Sequence, residues 1–86
     1  MAEYDLVVTS TALRAIGKLP EEIQPLINQS IDGLKYDPRP AGCLKMKGFE
    51  TLYRLRIRRY RVLYNIYDKR LVVQVIDADH RRDAYR

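Results

Sequence analysis

The sequence predicts an α+β domain in the order β-α-α-β-β-β, with a helical hairpin packed on one face of a mostly antiparallel four-stranded sheet. Three observations point to it. Residues 53–64 read Y-R-L-R-I-R-R-Y-R-V-L-Y, the period-two alternation of half-buried strands. Between Ala12 and Leu34 the apolar positions recur at helical spacing. Residues 71–76, L-V-V-Q-V-I, form an apolar run suited to a central strand buried on both faces. The length of 86 residues allows one small core, and no repeat, low-complexity tract or linker divides the chain, so residues 1–86 read as a single domain.

Residues 3–8 (E-Y-D-L-V-V) alternate and then run apolar, as a first strand does. Thr9, Ser10 and Thr11 are N-cap candidates. Ala12, Leu13, Ile16 and Leu19 place a short helix to about Lys18, weakened by Gly17. Pro20 can open a second helix, with Glu21 and Glu22 favourable in its first turn, and Ile23, Leu26, Ile27, Ile31 and Leu34 form its apolar stripe. Pro25 conflicts with a continuous helix from Pro20, because an interior proline costs about 3 kcal/mol. Either the helix kinks there or its regular part begins near Pro25. Gly33 and then Asp37 with Pro38 end it, and two helices so tightly joined form an antiparallel hairpin.

Residues 37–43 are a loop by composition. Residues 44–47 alternate again, as in a short strand or the approach to one, and residues 48–51 turn. The central hairpin follows, with its second strand at about 60–67. A two-residue turn at Arg58 and Arg59 puts Ile57 opposite Tyr60, Arg56 opposite Arg61, Leu55 opposite Val62 and Tyr53 opposite Tyr64. Residues 68–70 turn the chain into the strand at 71–76, and residues 77–86 (D-A-D-H-R-R-D-A-Y-R) form a polar tail.

Charge is unevenly spread. The net +5 divides into four basic against six acidic side chains over residues 1–44, a balance of −2, and twelve against five over residues 45–86, a balance of +7. The second half is built to meet a polyanion, or else is only a solvated basic surface. The hairpin favours the first reading. Tyr53, Leu55, Ile57, Val62 and Tyr64 fall on the helix side, and Arg54, Arg56 and Arg61 fall together on the other. Like charges facing across a sheet are destabilising, and such broken local rules mark functional sites. No acid occurs from Thr51 to Tyr67, whereas an ordinary solvated face mixes both signs. Guanidinium forks match phosphate oxygens.

His80 is the only side chain that titrates near neutrality unperturbed, although a lone histidine in a polar tail is more often simply solvated. Tyr85 either docks the tail or offers a platform for a nucleobase. One cysteine, Cys43, excludes an internal disulfide, and with a single histidine it excludes a Cys/His zinc site within one chain. The acids are scattered, which disfavours a two-metal hydrolase; no metal or cofactor is expected. No apolar run approaches a membrane span and the first ten residues lack a signal-peptide layout, so a cytoplasmic location without a membrane partner is expected.

Several of these segments together resemble the RelE/ParE superfamily, the toxins of type II toxin–antitoxin pairs. They are L-x-x-D-P at 34–38, K-x-K-G at 45–48, Y-R-L-R-I…Y-R-V-L-Y-x-I at 53–66 and H-R-R-D-A-Y-R at 80–86. RelE-like members cleave mRNA on the ribosome; ParE-like members poison DNA gyrase. The resemblance implies a metal-free, ribosome-dependent mRNA endoribonuclease, neutralised by a cognate antitoxin in a hetero-oligomer. By position, Arg54 and Arg56 stand where RelE-like enzymes carry lysines, Arg61 where an arginine holds the scissile phosphate, Arg81 at the proposed general acid, and Tyr85 at a tyrosine that stacks on the bases, at a shorter spacing. Lys45, Lys47, Arg58, Arg59 and Arg82 are candidate RNA contacts. Arginine stays charged, so the base role does not carry over to Arg56, and His80 becomes a candidate acid or base. The sequence ends at Arg86 without the C-terminal helix of some members. The alternatives are a ParE-like gyrase inhibitor and a catalytically weak basic RNA-binding module.

Overall fold

The computed structural model describes residues 3–80. Its elements are β1 (Asp5–Val8), α1 (Ser10–Gly17), α2 (Gln24–Gly33), β2 (Cys43–Lys45), β3 (Leu52–Ile57), β4 (Tyr60–Tyr67) and β5 (Val72–His80). They form one sheet of order β1-β5-β4-β3-β2, in which β1 runs parallel to β5 and the other pairs are antiparallel. The sheet has five strands rather than four. The alternation at 44–47 is a true strand, with Cys43 paired to Leu55 and Lys45 to Tyr53.

Local chemistry explains the helix starts. Thr9 is extended (φ −68°, ψ 159°) and its Oγ1 accepts from the Ala12 amide at 3.1 Å, an N-cap that opens α1. Residues 20–23 make turns, with the Ile23 amide donating to the Pro20 carbonyl at 3.1 Å. Regular α2 starts only at Gln24, so Pro25 sits in the first turn, where its missing N–H has no partner to lose. Of the two readings of Pro25, the late start is the one adopted.

Ala12, Ile16, Ile27, Ile31 and Leu34 bury the helical stripe against Leu55, Ile57, Val62, Tyr64, Ile66, Val73 and Val75 of the sheet. Burying each large aliphatic side chain contributes roughly 1.5–3 kcal/mol. The hairpin register is the one read from the alternation, including Arg56 opposite Arg61 and Ile57 opposite Tyr60. Its turn is unusual in chemistry. Arg58 takes φ 57°, the left-handed value required at the first central position of a II′ turn and normally met by glycine.

β5 departs from expectation twice. Only Val73 and Val75 of its first half are buried, while Val72, Gln74 and Ile76 remain half-exposed, because both helices lie on one face. The strand also runs on to His80 instead of ending at residue 76. Opposite β4, Tyr64 faces Val75 but Leu63 faces Asp77, so Ile76 is the extra residue of a bulge. The bulge inverts the facing of the rest of the strand. Ala78 is buried on the helix side, and Asp77 and Asp79 turn to the open side.

A polar clamp closes the end of the sheet away from the hairpin turn. Arg39 donates from Nη2 to Asp68 Oδ2 at 2.8 Å and from Nη1 to Oδ1 at 3.2 Å, and its Nε reaches the Tyr53 hydroxyl at 3.2 Å. Tyr4 donates its hydroxyl to Asp68 Oδ1 at 2.7 Å. These bonds, from Arg39 foremost and then Tyr4, hold the Asp68 carboxyl down at about 2. Nearby, the Tyr64 hydroxyl donates to the Pro38 carbonyl at 2.8 Å, and burial raises the Tyr64 phenol above its ordinary value. Among the described residues, no helix is long and apolar enough to cross a membrane.

Candidate nucleic-acid interface

The open face of the sheet carries the arginines. Arg54 on β3 and Arg61 on β4 both line a groove of about 630 Å³, whose far wall is the end of β2 and the turn that follows it, including Lys45, Lys47 and Phe49. That volume lies in the range of ligand sites, about 300–1,000 Å³. Gly48, at φ 86°, gives the turn the left-handed residue it needs. Four basic residues of the charge-rich half therefore converge on one concavity, and a cleft lined by one sign of charge focuses its field on an anionic ligand.

The other candidates distribute around this groove. Arg56 is exposed and sits directly across from Arg61, two residues closer to the hairpin turn than Arg54. Arg58 and Arg59 form that turn. His80 lies at the end of β5, one residue beyond the Asp79 that faces Arg61. It pairs in register with Tyr60, and the two rings meet edge to face with centroids 5.0 Å apart. By the inverted phase after the bulge, that contact lies on the helix side of the sheet. Arg81, Arg82 and Tyr85 lie outside the described residues.

Sequence reasoning missed Asp79. Its carboxylate takes two hydrogen bonds from Arg61, Nε to Oδ1 at 3.1 Å and Nη2 to Oδ2 at 3.1 Å. The pair is partly sheltered, with side-chain exposures of 16% for Arg61 and 34% for Asp79. Arg56, Arg61 and Asp79 thus form one row across three strands, and the acid offsets the repulsion between the two arginines. The signal was present only in the strand register, since the short D-A-D-H stretch has no apolar contrast to reveal a bulge. Phe49 was passed over as part of a turn. It is 56% exposed, and its place beside Lys47 and Gly48 was the available hint.

What the groove can do chemically is hold a phosphodiester. Arg61 presents a guanidinium with five N–H donors; Asp79 engages two of them, which leaves three for an anion in the groove. Arg54 adds a second fork.

A sequence model described as the ParE toxin of the type II toxin–antitoxin system, parDE, matches residues 4–85. The chain is 32% identical over 84 residues to a protein named Toxin RelE from Mycobacterium tuberculosis, covering 96% of this chain and 87% of that protein. Its fold superimposes with a TM-score of 0.80, at 28% identity, on a chain of the toxin–antitoxin complex RelBE2 from the same organism, covering 93% of this chain and 100% of the other. A chain of the archaeal RelE–RelB complex of Pyrococcus horikoshii gives the same TM-score of 0.80 at 26% identity, covering 92% and 96%. A two-helix, five-stranded α+β fold with an arginine-lined open face, matched over nearly its whole length, places this chain in the ParE toxin family, as a RelE-like member of the RelE/ParE superfamily of type II toxins.

Proposed function

We propose that this protein is a ribosome-dependent mRNA endoribonuclease, the toxin of a type II pair. The observation that carries the proposal is the convergence of Arg54, Arg61, Lys45 and Lys47 on one groove of the open sheet face. The ribose 2′-OH of mRNA gives its proton to water and attacks the adjacent phosphorus, the P–O5′ bond breaks as the 5′-oxygen takes up a proton, and the products carry a 2′,3′-cyclic phosphate and a 5′-hydroxyl. Arg61 and Arg54 stabilise the dianionic phosphorane, where fixed positive charge contributes most. The superfamily resemblance assigns Arg81 to the general-acid position beside the leaving 5′-oxygen, where its fixed charge stabilises the oxyanion, and Tyr85 to stack on a base. The ribosome orders the mRNA so that attack is in line. His80, on the helix side of the sheet, is not the base in this scheme.

The partner is a cognate antitoxin. The matched structures from Mycobacterium tuberculosis and Pyrococcus horikoshii are complexes of a toxin with its antitoxin, and a segment of complementary charge that covers the +7 half of this chain would block the groove. Both act in the cytoplasm. One observation favours a second reading, inhibition of DNA gyrase: the description of the matched family is that of ParE.

Expression without antitoxin, followed by mapping of mRNA 5′ ends and a supercoiling assay with purified gyrase, separates the two. Cleavage within translated codons, with gyrase unaffected, is expected. Intact mRNA with blocked gyrase would sink the nuclease reading.

A further inference from the structure

We infer that Asp79 is a positioning residue for Arg61: it fixes the guanidinium so that the donors left over meet a phosphate in the groove. The inference rests on the nuclease reading above and names a residue that this reading does not use.

The geometry separates the two ends of the Arg61 head group. Its Nε and Nη2 edge is taken by Asp79 at 3.1 Å on both bonds. Arg61 lines the groove, and with Nε–H and one Nη2 hydrogen taken by Asp79, both Nη1 hydrogens and the second on Nη2 are left for a ligand. A long side chain on an open sheet face otherwise samples many rotamers, and ordering it on binding costs free energy. Two parallel bonds to a carboxylate remove that freedom in advance.

The placement of the acid is itself built into the fold. Asp79 reaches the open face only because the bulge at Ile76 inverts the second half of β5. With unbroken alternation from Val73 and Val75, residue 79 would turn to the helix side. The same bulge sets the register in which Asp79 faces Arg61 and Asp77 faces Leu63 on β4.

A carboxylate beside a phosphate-binding arginine has two opposite consequences. It lowers the local positive potential, which weakens ground-state attraction for RNA. It also holds the donors where charge develops in the transition state, which raises the rate of the chemical step. A positioning role therefore predicts a split. In Asp79→Ala, affinity for single-stranded RNA is unchanged or tighter, while the single-turnover cleavage rate on mRNA-programmed ribosomes falls about 10- to 100-fold. Asp79→Glu, which keeps the carboxylate, recovers part of the rate, and Asp79→Asn, which keeps an acceptor without the charge, falls between.

The test is single-turnover cleavage by wild type, Asp79→Ala, Asp79→Asn and Asp79→Glu, alongside binding to a single-stranded RNA oligonucleotide made uncleavable by 2′-O-methylation and thermal unfolding of each protein. The Arg61 Nε–H resonance supplies an independent readout: it exchanges slowly with solvent in wild type and fast in Asp79→Ala. The inference is overturned if Asp79→Ala cleaves as fast per folded molecule as wild type, if it cleaves faster, which would make Asp79 an inhibitory plug, or if Arg61 Nε–H exchange is unchanged. Wild-type protein that leaves ribosome-bound mRNA uncut removes the nuclease reading and this inference together, and is told apart by the wild-type arm alone.

Discussion

Tyr60 and His80 meet edge to face, ring centroids 5.0 Å apart and planes at 90°, on the side of the sheet away from Arg61. The one histidine of the chain is thus separated from the groove by the thickness of the sheet. His80→Gln is expected to keep cleavage within about threefold of wild type, with a pH–rate profile that retains its shape near neutrality. Loss of a limb of that profile in the variant would return His80 to proton transfer.

Arg61→Ala removes the guanidinium at the centre of the arginine row. Loss of one preorganised donor to a developing oxyanion costs about 10²–10³ in rate, so cleavage should fall by that factor while circular dichroism and the unfolding midpoint stay near wild type. An Arg61→Ala protein as toxic as wild type would place the chemistry elsewhere.

Arg58 carries its left-handed φ of 57° without the freedom of glycine. Arg58→Gly should stabilise the protein by about 0.5–1 kcal/mol in urea unfolding, the relief of left-handed strain less the greater entropy of the unfolded glycine. If Arg58 also contacts a phosphate, the slope of log affinity against log salt for single-stranded RNA falls by about 0.7. A stability gain with an unchanged slope would make the turn purely structural.

Asp68 has a carboxyl depressed in the folded state from 3.8 to about 2. Its contribution to stability is therefore fully present above pH 4 and is lost as the pH falls through about 2. The Arg39 and Asp68 side chains are 42% and 53% exposed, so the pair contributes no more than about 1 kcal/mol after screening. Asp68→Asn should lower the unfolding temperature slightly at pH 6 and converge with wild type near pH 2. A gap that persists at pH 2 would show that shape, not charge, holds the clamp.

The hairpin was legible because its alternation is strong and a two-residue turn fixes register; every pair from Tyr53 with Tyr64 to Ile57 with Tyr60 follows from it. The helices were legible from Thr9 and the stripe from Ile23 to Leu34, with Pro25 marking the true start of α2. Cys43–Lys45 was ambiguous because three residues are too few to establish a period. The bulge at Ile76 was hidden for another reason. A bulge is a relation between two strands, and neither D-A-D-H nor V-L-Y shows it alone. The Asp79 contact with Arg61, which depends on that relation, was invisible with it, while the arginines themselves stood out by their own spacing.

The parallel pairing of β1 with β5 has a consequence in time. Asp5 is made well before its partner Val72, and at roughly 5–20 residues per second the strand waits about 3–13 s for its place in the sheet. β1 touches no other strand, so the nascent chain cannot place it in the sheet until β5 has been made. The first strand made is thus the one whose place in the sheet is set last.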